Sequence, residues 1–178
     1  MEKLSRQKHI DLFYGDTCQV SEQGYVPYAW QFPGQEVFIP AAKGKAINCW
    51  ALISRDNRIH YTTTYQSVDA QFVLEQLEEL SWGIKRLTVV VLDNAGPHVA
   101  RKIKERLKYW EQRGLFIFYL PPYSPHLNIA ETLWRKLKYE WLHPDDYFCT
   151  GQLFFSVTAA LAAVGSQLAI NFSEFNLC

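Results

Sequence analysis

What this chain has little of narrows its role before any motif is read. Its four cysteines, Cys18, Cys49, Cys149 and Cys178, form no C-x-x-C pair and show no Cys/His zinc spacing. That argues against a disulfide framework and for free thiols in a reducing compartment. Net charge is absent, because 18 Lys and Arg balance 18 Asp and Glu, and the molecule as a whole has no pull toward nucleic acid. The first ten residues, MEKLSRQKHI, carry charges throughout and lack the apolar segment of a secretory signal. The expected location is therefore the cytoplasm. Internal repeats, linkers and low-complexity segments are missing too, so the length implies one domain.

Charge is also missing locally. Between Gly151 and Ser173 no Asp, Glu, Lys or Arg occurs, a stretch long enough to raise the question of a membrane span. Gln152, Ser156, Thr158, Ser166, Gln167 and Asn171 interrupt it, and alanine outnumbers leucine. The pattern indicates a helix over about 151–170 packed on a core or a subunit interface, with no membrane partner.

What is present is a chain of 178 residues, 48% hydrophobic and 20% charged, enough to bury one core. Its front half reads as strands at 10–14, 36–40, 46–54 and 58–64, the last three separated by polar turn clusters, "AAKGK" and "SRDNR". A helix follows over 67–80, with Val73, Leu77 and Leu80 on one face and Ser67 or Asp69 as its cap. Leu87 to Leu92 is a short apolar run suited to a central strand covered on both faces. Pro97 opens a helix whose buried stripe is Val99, Ile103, Leu107 and Trp110. Leu115 to Leu120 is another strand, closed by the rigid "PPYSP". A helix from near Asn128 groups Ala130, Leu133, Trp134, Leu137 and Trp141, with Glu131 and Lys138 on its flank. Antiparallel strands followed by alternating helix and strand give an α/β domain with a mixed sheet flanked by helices. From Val99 to His143 nine bases face four acids, an excess that fits either a phosphate-facing surface or solvated helix faces.

Three acids stand at places where chemistry is often found. Asp93 ends the central strand in "VVVLDNAGPH", at the edge of an open sheet where ligands usually bind, although an Asp before Gly-Pro also caps helices. Asp16 follows the strand-like "IDLFYG", in a turn that Gly15 would favour. Glu131 lies near a helix N-terminus, where the dipole favours any acid. Singly, each has an ordinary structural explanation.

Read together, "GDTCQVSEQGYVPYAW", "LDNAGPH" and "LPPYSPHLNIAETLWRKLK" resemble the catalytic domain of DDE superfamily transposases, in the bacterial insertion-sequence branch related to mariner elements. The resemblance covers roughly residues 13–139, and its third block is the most specific. It places the catalytic, metal-binding acids at Asp16, Asp93 and Glu131, with 37 residues between the second and third. Thr17 stands where family members often carry a glutamate, and Ile129 and Ala130 occupy the neighbourhood of the usual proline. The implied fold is ribonuclease H-like, a five-stranded mixed sheet in a single catalytic domain, with its core at about 10–143 and a C-terminal helix at about 151–170.

The resemblance implies two Mg²⁺ or Mn²⁺ ions, because paired divalent ions serve both the attacking and the leaving oxygen of phosphodiester cleavage, and such hard cations prefer oxygen ligands. It implies DNA as the partner, both transposon ends and target, and a homodimer in the synaptic complex. Asn94 and His98 are expected to orient ligands or touch the DNA backbone, and Arg135 and Lys138 to reach phosphates. Tyr25, Trp30 and Tyr123 are candidates for contacts to distorted bases. A helix-turn-helix region ahead of the catalytic domain, usual in the family, has almost no room here and is expected from elsewhere. Two other readings remain: a structure-directed nuclease using the same acids, and a non-catalytic DNA-binding or oligomerisation remnant.

Overall fold

A computed structural model describes residues 1–22, 33–34 and 45–173; the strand expected at 36–40 lies outside them. Five strands form one mixed sheet: β1 (Asp11–Val20), β2 (Ile47–Ile53), β3 (Ile59–Thr64), β4 (Thr88–Leu92) and β5 (Leu115–Tyr119), in the order β3-β2-β1-β4-β5. The first three run antiparallel, with Cys18 opposite Cys49 and Leu52 opposite His60. β4 joins β1 and β5 in parallel register. The helices are α1 (Glu2–Arg6), α2 (Ala70–Gly83), α3 (Gly96–Val99), α4 (Arg101–Gln112), α5 (Ala130–Lys136) and α6 (Thr150–Ala163). This is the ribonuclease H-like mixed sheet, flanked by helices, that the sequence implies.

Strand alternation sorts the apolar residues into two cores. Phe13, Trp50, Leu52, Val90 and Leu92 meet Val73 and Leu77 of α2 and Ile103 and Trp110 of α4. Leu12, Tyr14, Ile53, Val89 and Val91 meet Leu133 and Leu137 around α5 and Leu153 and Val157 of α6. β4 is buried at all five positions, as a strand covered on both faces must be.

Several boundaries differ from the sequence reading. β1 does not stop at Tyr14 but runs ten residues to Val20, because β2 offers partners from Ile53 back to Ile47. Gly15 and Asp16 therefore lie inside a strand rather than in a turn. Gly15 serves close packing: a Cβ there would fall 2.5 Å from Leu92 Cδ2 and 2.7 Å from Leu52 Cδ2. The helix opened by Pro97 breaks at Ala100, whose ψ of 150° is extended, and His98 rather than Val99 is its buried residue. Asp69, not Ser67, caps α2, accepting from the Gln71 and Phe72 amides at 2.9 Å. The last helix ends at Ala163 rather than near 170. Val164 is extended, and Gly165 turns the chain at φ +83°, a conformation that penalises any Cβ. No helix among the described residues is long and apolar enough to cross a membrane.

Candidate active site

The site lies where the parallel strands end. Asp93 is the first residue beyond β4, and its Oδ1 accepts the Ala95 amide at 3.0 Å while facing Nδ1 of His98 at 2.5 Å. The His98 bond is the main reason its carboxyl is held below the usual aspartate value, with the Ala95 amide adding to it against partial burial. His98 is fully buried, packed edge-on against Trp50 with ring centroids 5.4 Å apart. Its Nε2 has no hydrogen-bond partner among the described residues. A bare ring nitrogen costs less there than a buried N–H without an acceptor, so the hydrogen sits on Nδ1 and is donated to Asp93. The Tyr119 hydroxyl donates to the His98 carbonyl at 2.9 Å, and the Asn94 amide donates to the Leu120 carbonyl at 2.5 Å. Together these bonds tie the ends of β4 and β5 to the start of α3.

Asp16 sits mid-strand opposite Ala51, on the sheet face covered by α5. One oxygen accepts the Thr17 amide at 2.7 Å and the other the Trp134 indole N–H at 3.1 Å. It is only 9% exposed. Burial pushes its carboxyl up to about 7; the Thr17 amide opposes that rise, and the charges of Glu131 and Asp93 add to it.

Glu131 occupies the exposed first turn of α5, and its carboxylate makes no hydrogen bond or ion pair among the described residues. Its helix is anchored by Asn128, whose side-chain amide donates to the Gly15 carbonyl at 3.0 Å and whose oxygen accepts the Ala130 amide at 3.1 Å. Asn128 and Trp134 thus lock α5 onto β1. Sequence reading placed both residues on this helix without giving either a role at the site, since each contact joins positions more than a hundred residues apart.

A cavity of about 370 Å³ is lined by Asp93, Asn94, Leu120, Tyr123, Asn128 and Glu131, among others. Glu131 also borders a second recess of about 350 Å³ with Trp134, Arg135 and Lys138. Asp93 and Glu131 therefore share one cavity wall, and Asp16 stands behind it, outside the lining. Among the described residues no three of His, Cys, Asp and Glu stand close enough to hold an ion together. A larger cavity of about 600 Å³ opens at the opposite end of the sheet beside Asp11, Arg58 and His60; none of the three acids borders it.

The remaining expected residues divide. His98 is too buried to touch DNA and is placed to orient Asp93. Asn94 and Arg135 are exposed. Lys138 is half-buried, and its ammonium acts on the Cys18 thiol, which burial nonetheless pushes up to about 11. Tyr123 is fully exposed at a left-handed φ of +57° in the loop beside the cavity. Tyr25 and Trp30 lie outside the described residues.

Solved structures with the same fold include the Mos1 transposase paired-end complex with the left transposon end, at TM-score 0.55 and 17% identity, covering 91% of this chain and 56% of that one. The catalytic core domain of BIV integrase matches at TM-score 0.56 and 16% identity, over 89% of this chain and 86% of that one. The architecture is thus that of transposase and integrase catalytic cores. A profile of DDE superfamily endonucleases matches residues 11–153, and the chain belongs to that family. Two curated relatives are similar in sequence: an insertion element IS630 uncharacterized 39 kDa protein of Shigella sonnei and the uncharacterized protein y4pE/y4sA of Sinorhizobium fredii. The first is 28% identical over 130 residues, 71% of this chain and 37% of its own length. The second is 32% identical over 76 residues, 42% of this chain and 52% of its own. The chain thus spans about half or less of these relatives.

Proposed function

We propose that this chain is the catalytic domain of a metal-dependent DNA transposase, which hydrolyses a phosphodiester at a transposon end and joins the freed 3′ hydroxyl to target DNA. The observation that carries the reading is Asp93 and Glu131 on one cavity wall at the carboxyl end of the central parallel strand, inside the span matched by the family.

The residues fit divalent cations by donor chemistry. Among the described residues Asp93 commits one oxygen to Ala95 and His98 and leaves the other without a hydrogen bond, and the Glu131 carboxylate is unpaired. Hard oxygens of this kind suit Mg²⁺ or Mn²⁺. Asp93 and Glu131 would hold the ions, with Asp16 as third ligand once its proton is released, since ligation requires the carboxylate form. The chemistry supplied by two such ions is an activated attacking water and a stabilised leaving 3′ oxygen.

This chain's own residues do the rest. His98 fixes the orientation of Asp93, as partners behind a ligand commonly do. Asn128 and Trp134 hold α5, and with it Glu131, against β1. Arg135 and Lys138, lining the recess that Glu131 shares, would steady phosphates beside the scissile bond. DNA ends would be brought together by two copies of the chain, with end recognition supplied by a helix-turn-helix region outside these residues.

A non-catalytic remnant is the second reading, favoured by one observation: both oxygens of Asp16 already accept protein hydrogen bonds. Incubation with terminal-repeat or pre-nicked duplex and Mn²⁺ separates the two. The expected outcome is metal-dependent cleavage or strand joining that Asp93→Asn reduces at least about 10³-fold with its circular dichroism unchanged. Equal activity in the two proteins would falsify the catalytic reading.

A further inference from the structure

α4 turns Ile103 and Trp110 into the core. At 100° per residue its opposite side carries Arg101, Lys104 and Lys108 in one row, spaced i, i+3 and i+7 and spanning about 10 Å. All three are exposed. Arg101 pairs with Glu105 at 2.6 Å, whereas the Lys104 and Lys108 side chains make no hydrogen bond or ion pair among the described residues. Lys102, on the adjoining side, reaches Gln71 at 3.1 Å.

This arrangement works against the helix that carries it. Like charges three and four residues apart repel. The first turn of α4 holds bases and no acid, and Ala100 gives no side-chain cap, so the helix dipole opposes these cations as well. Exposed Glu105 and Glu111 border the row, and the face keeps one net positive charge. The row begins a few residues beyond Ala95, which lines the cavity shared by Asp93 and Glu131. Arg135 and Lys138 line the neighbouring recess, which shares Glu131 with that cavity. Cations thus stand on helical segments packed on opposite faces of the sheet, one leading away from the cavity and one lining the recess beside it.

We infer that the exposed row Arg101, Lys104 and Lys108 is a docking surface for duplex DNA, holding backbone phosphates of the segment that runs outward from the cleaved bond. The inference rests on the proposed action on DNA and adds to it a second contact region, on a helix that carries none of the acids. Duplex DNA fits better than an acidic protein because its phosphates repeat regularly along a rigid rod, matching a straight row of cations.

The test uses the whole chain without divalent metal and a fluorescein-labelled random duplex of about thirty base pairs, with anisotropy titrations between about 50 and 200 mM NaCl. Lys104→Gln with Lys108→Gln should weaken binding about ten-fold and lower the salt slope by about 2, one per lost phosphate contact. Lys3→Gln with Lys85→Gln removes the same charge from exposed positions elsewhere and should stay within about two-fold. Thermal melting of the α4 variant should be no lower than the parent's, since glutamine matches lysine in helix propensity and repulsion is relieved. Equal losses from both double variants, parental binding by the α4 variant, or weaker binding accompanied by a lower melting temperature would each overturn the inference. So would displacement of the duplex by polyglutamate at matched charge. If the α4 effect appears while no Mn²⁺-dependent cleavage does, the catalytic reading fails and the docking surface stands; parental binding alongside cleavage that requires Asp93 gives the reverse.

Discussion

Asp16 shows how a proposed site residue can conflict with the fold that positions it. The carboxylate is buried mid-strand, and its charged form is disfavoured up to about pH 7. Its folded pKa lies above the unfolded value of 3.8, so its contribution to stability is greatest below pH 3.8 and is lost as pH rises through about 7. Asp16→Asn should relieve this. The amide oxygen can keep the Thr17 bond, but the Trp134 bond loses its acceptor, an offset of about 1 kcal/mol. Relief of the buried charge exceeds that offset, so the melting temperature at pH 8 should rise by a few degrees. Melts in metal-free buffer should show the advantage shrinking as pH falls and reversing near pH 4, where only the lost hydrogen bond remains. A variant less stable than the parent at pH 8 would contradict the burial argument.

At the scale of elements, α2 and α4 are joined through one carboxylate. Glu78 accepts from Arg106 twice at 2.8 Å, from Trp110 Nε1 at 2.8 Å and from Arg113 at 2.6 Å. The Arg106 bonds lead in holding its carboxyl down at about 2, with Arg113 and Trp110 adding to them against desolvation. Its folded pKa lies below the unfolded value of 4.5, so this stabilisation is full above about pH 4.5 and is lost as pH falls toward 2. Glu78→Gln should cost about 1–2 kcal/mol at pH 7 after allowance for solvent screening. Denaturant titrations should show the gap to the parent narrowing below about pH 4; a constant gap from pH 7 to 3 would mean that packing, not charge, joins the helices.

Legibility also divides at this scale. The β4 run and the apolar faces of α2 and α5 could be read because each is set by local periodicity. The extension of β1 through Gly15 and Asp16 could not, because β2 dictates it from more than thirty residues away. The break at Ala100 was hidden by a continuous apolar spacing on both sides. The family was legible as motifs, but not the burial of Asp16 behind the wall that Asp93 and Glu131 share, which follows from α5 crossing β1.

For the whole molecule, two covered sheet faces leave the carboxyl edge of β4 as the place where both layers meet solvent. Asp93 and Glu131 gather there, with Asp16 behind them and Arg135 in the adjoining recess. A neutral chain thereby sets unlike charges side by side on one rim. Its average charge says little about what it binds.

The bond from Trp134 to Asp16 places a fluorescent indole in direct contact with a buried carboxyl. Any event that strips the proton from that carboxyl, or draws an oxygen away from the ring, must alter the light the indole emits. Added Mn²⁺ or Mg²⁺ should therefore register as an intrinsic emission change that Trp134→Phe abolishes; an identical response in that variant would mean the ion never perturbs this contact.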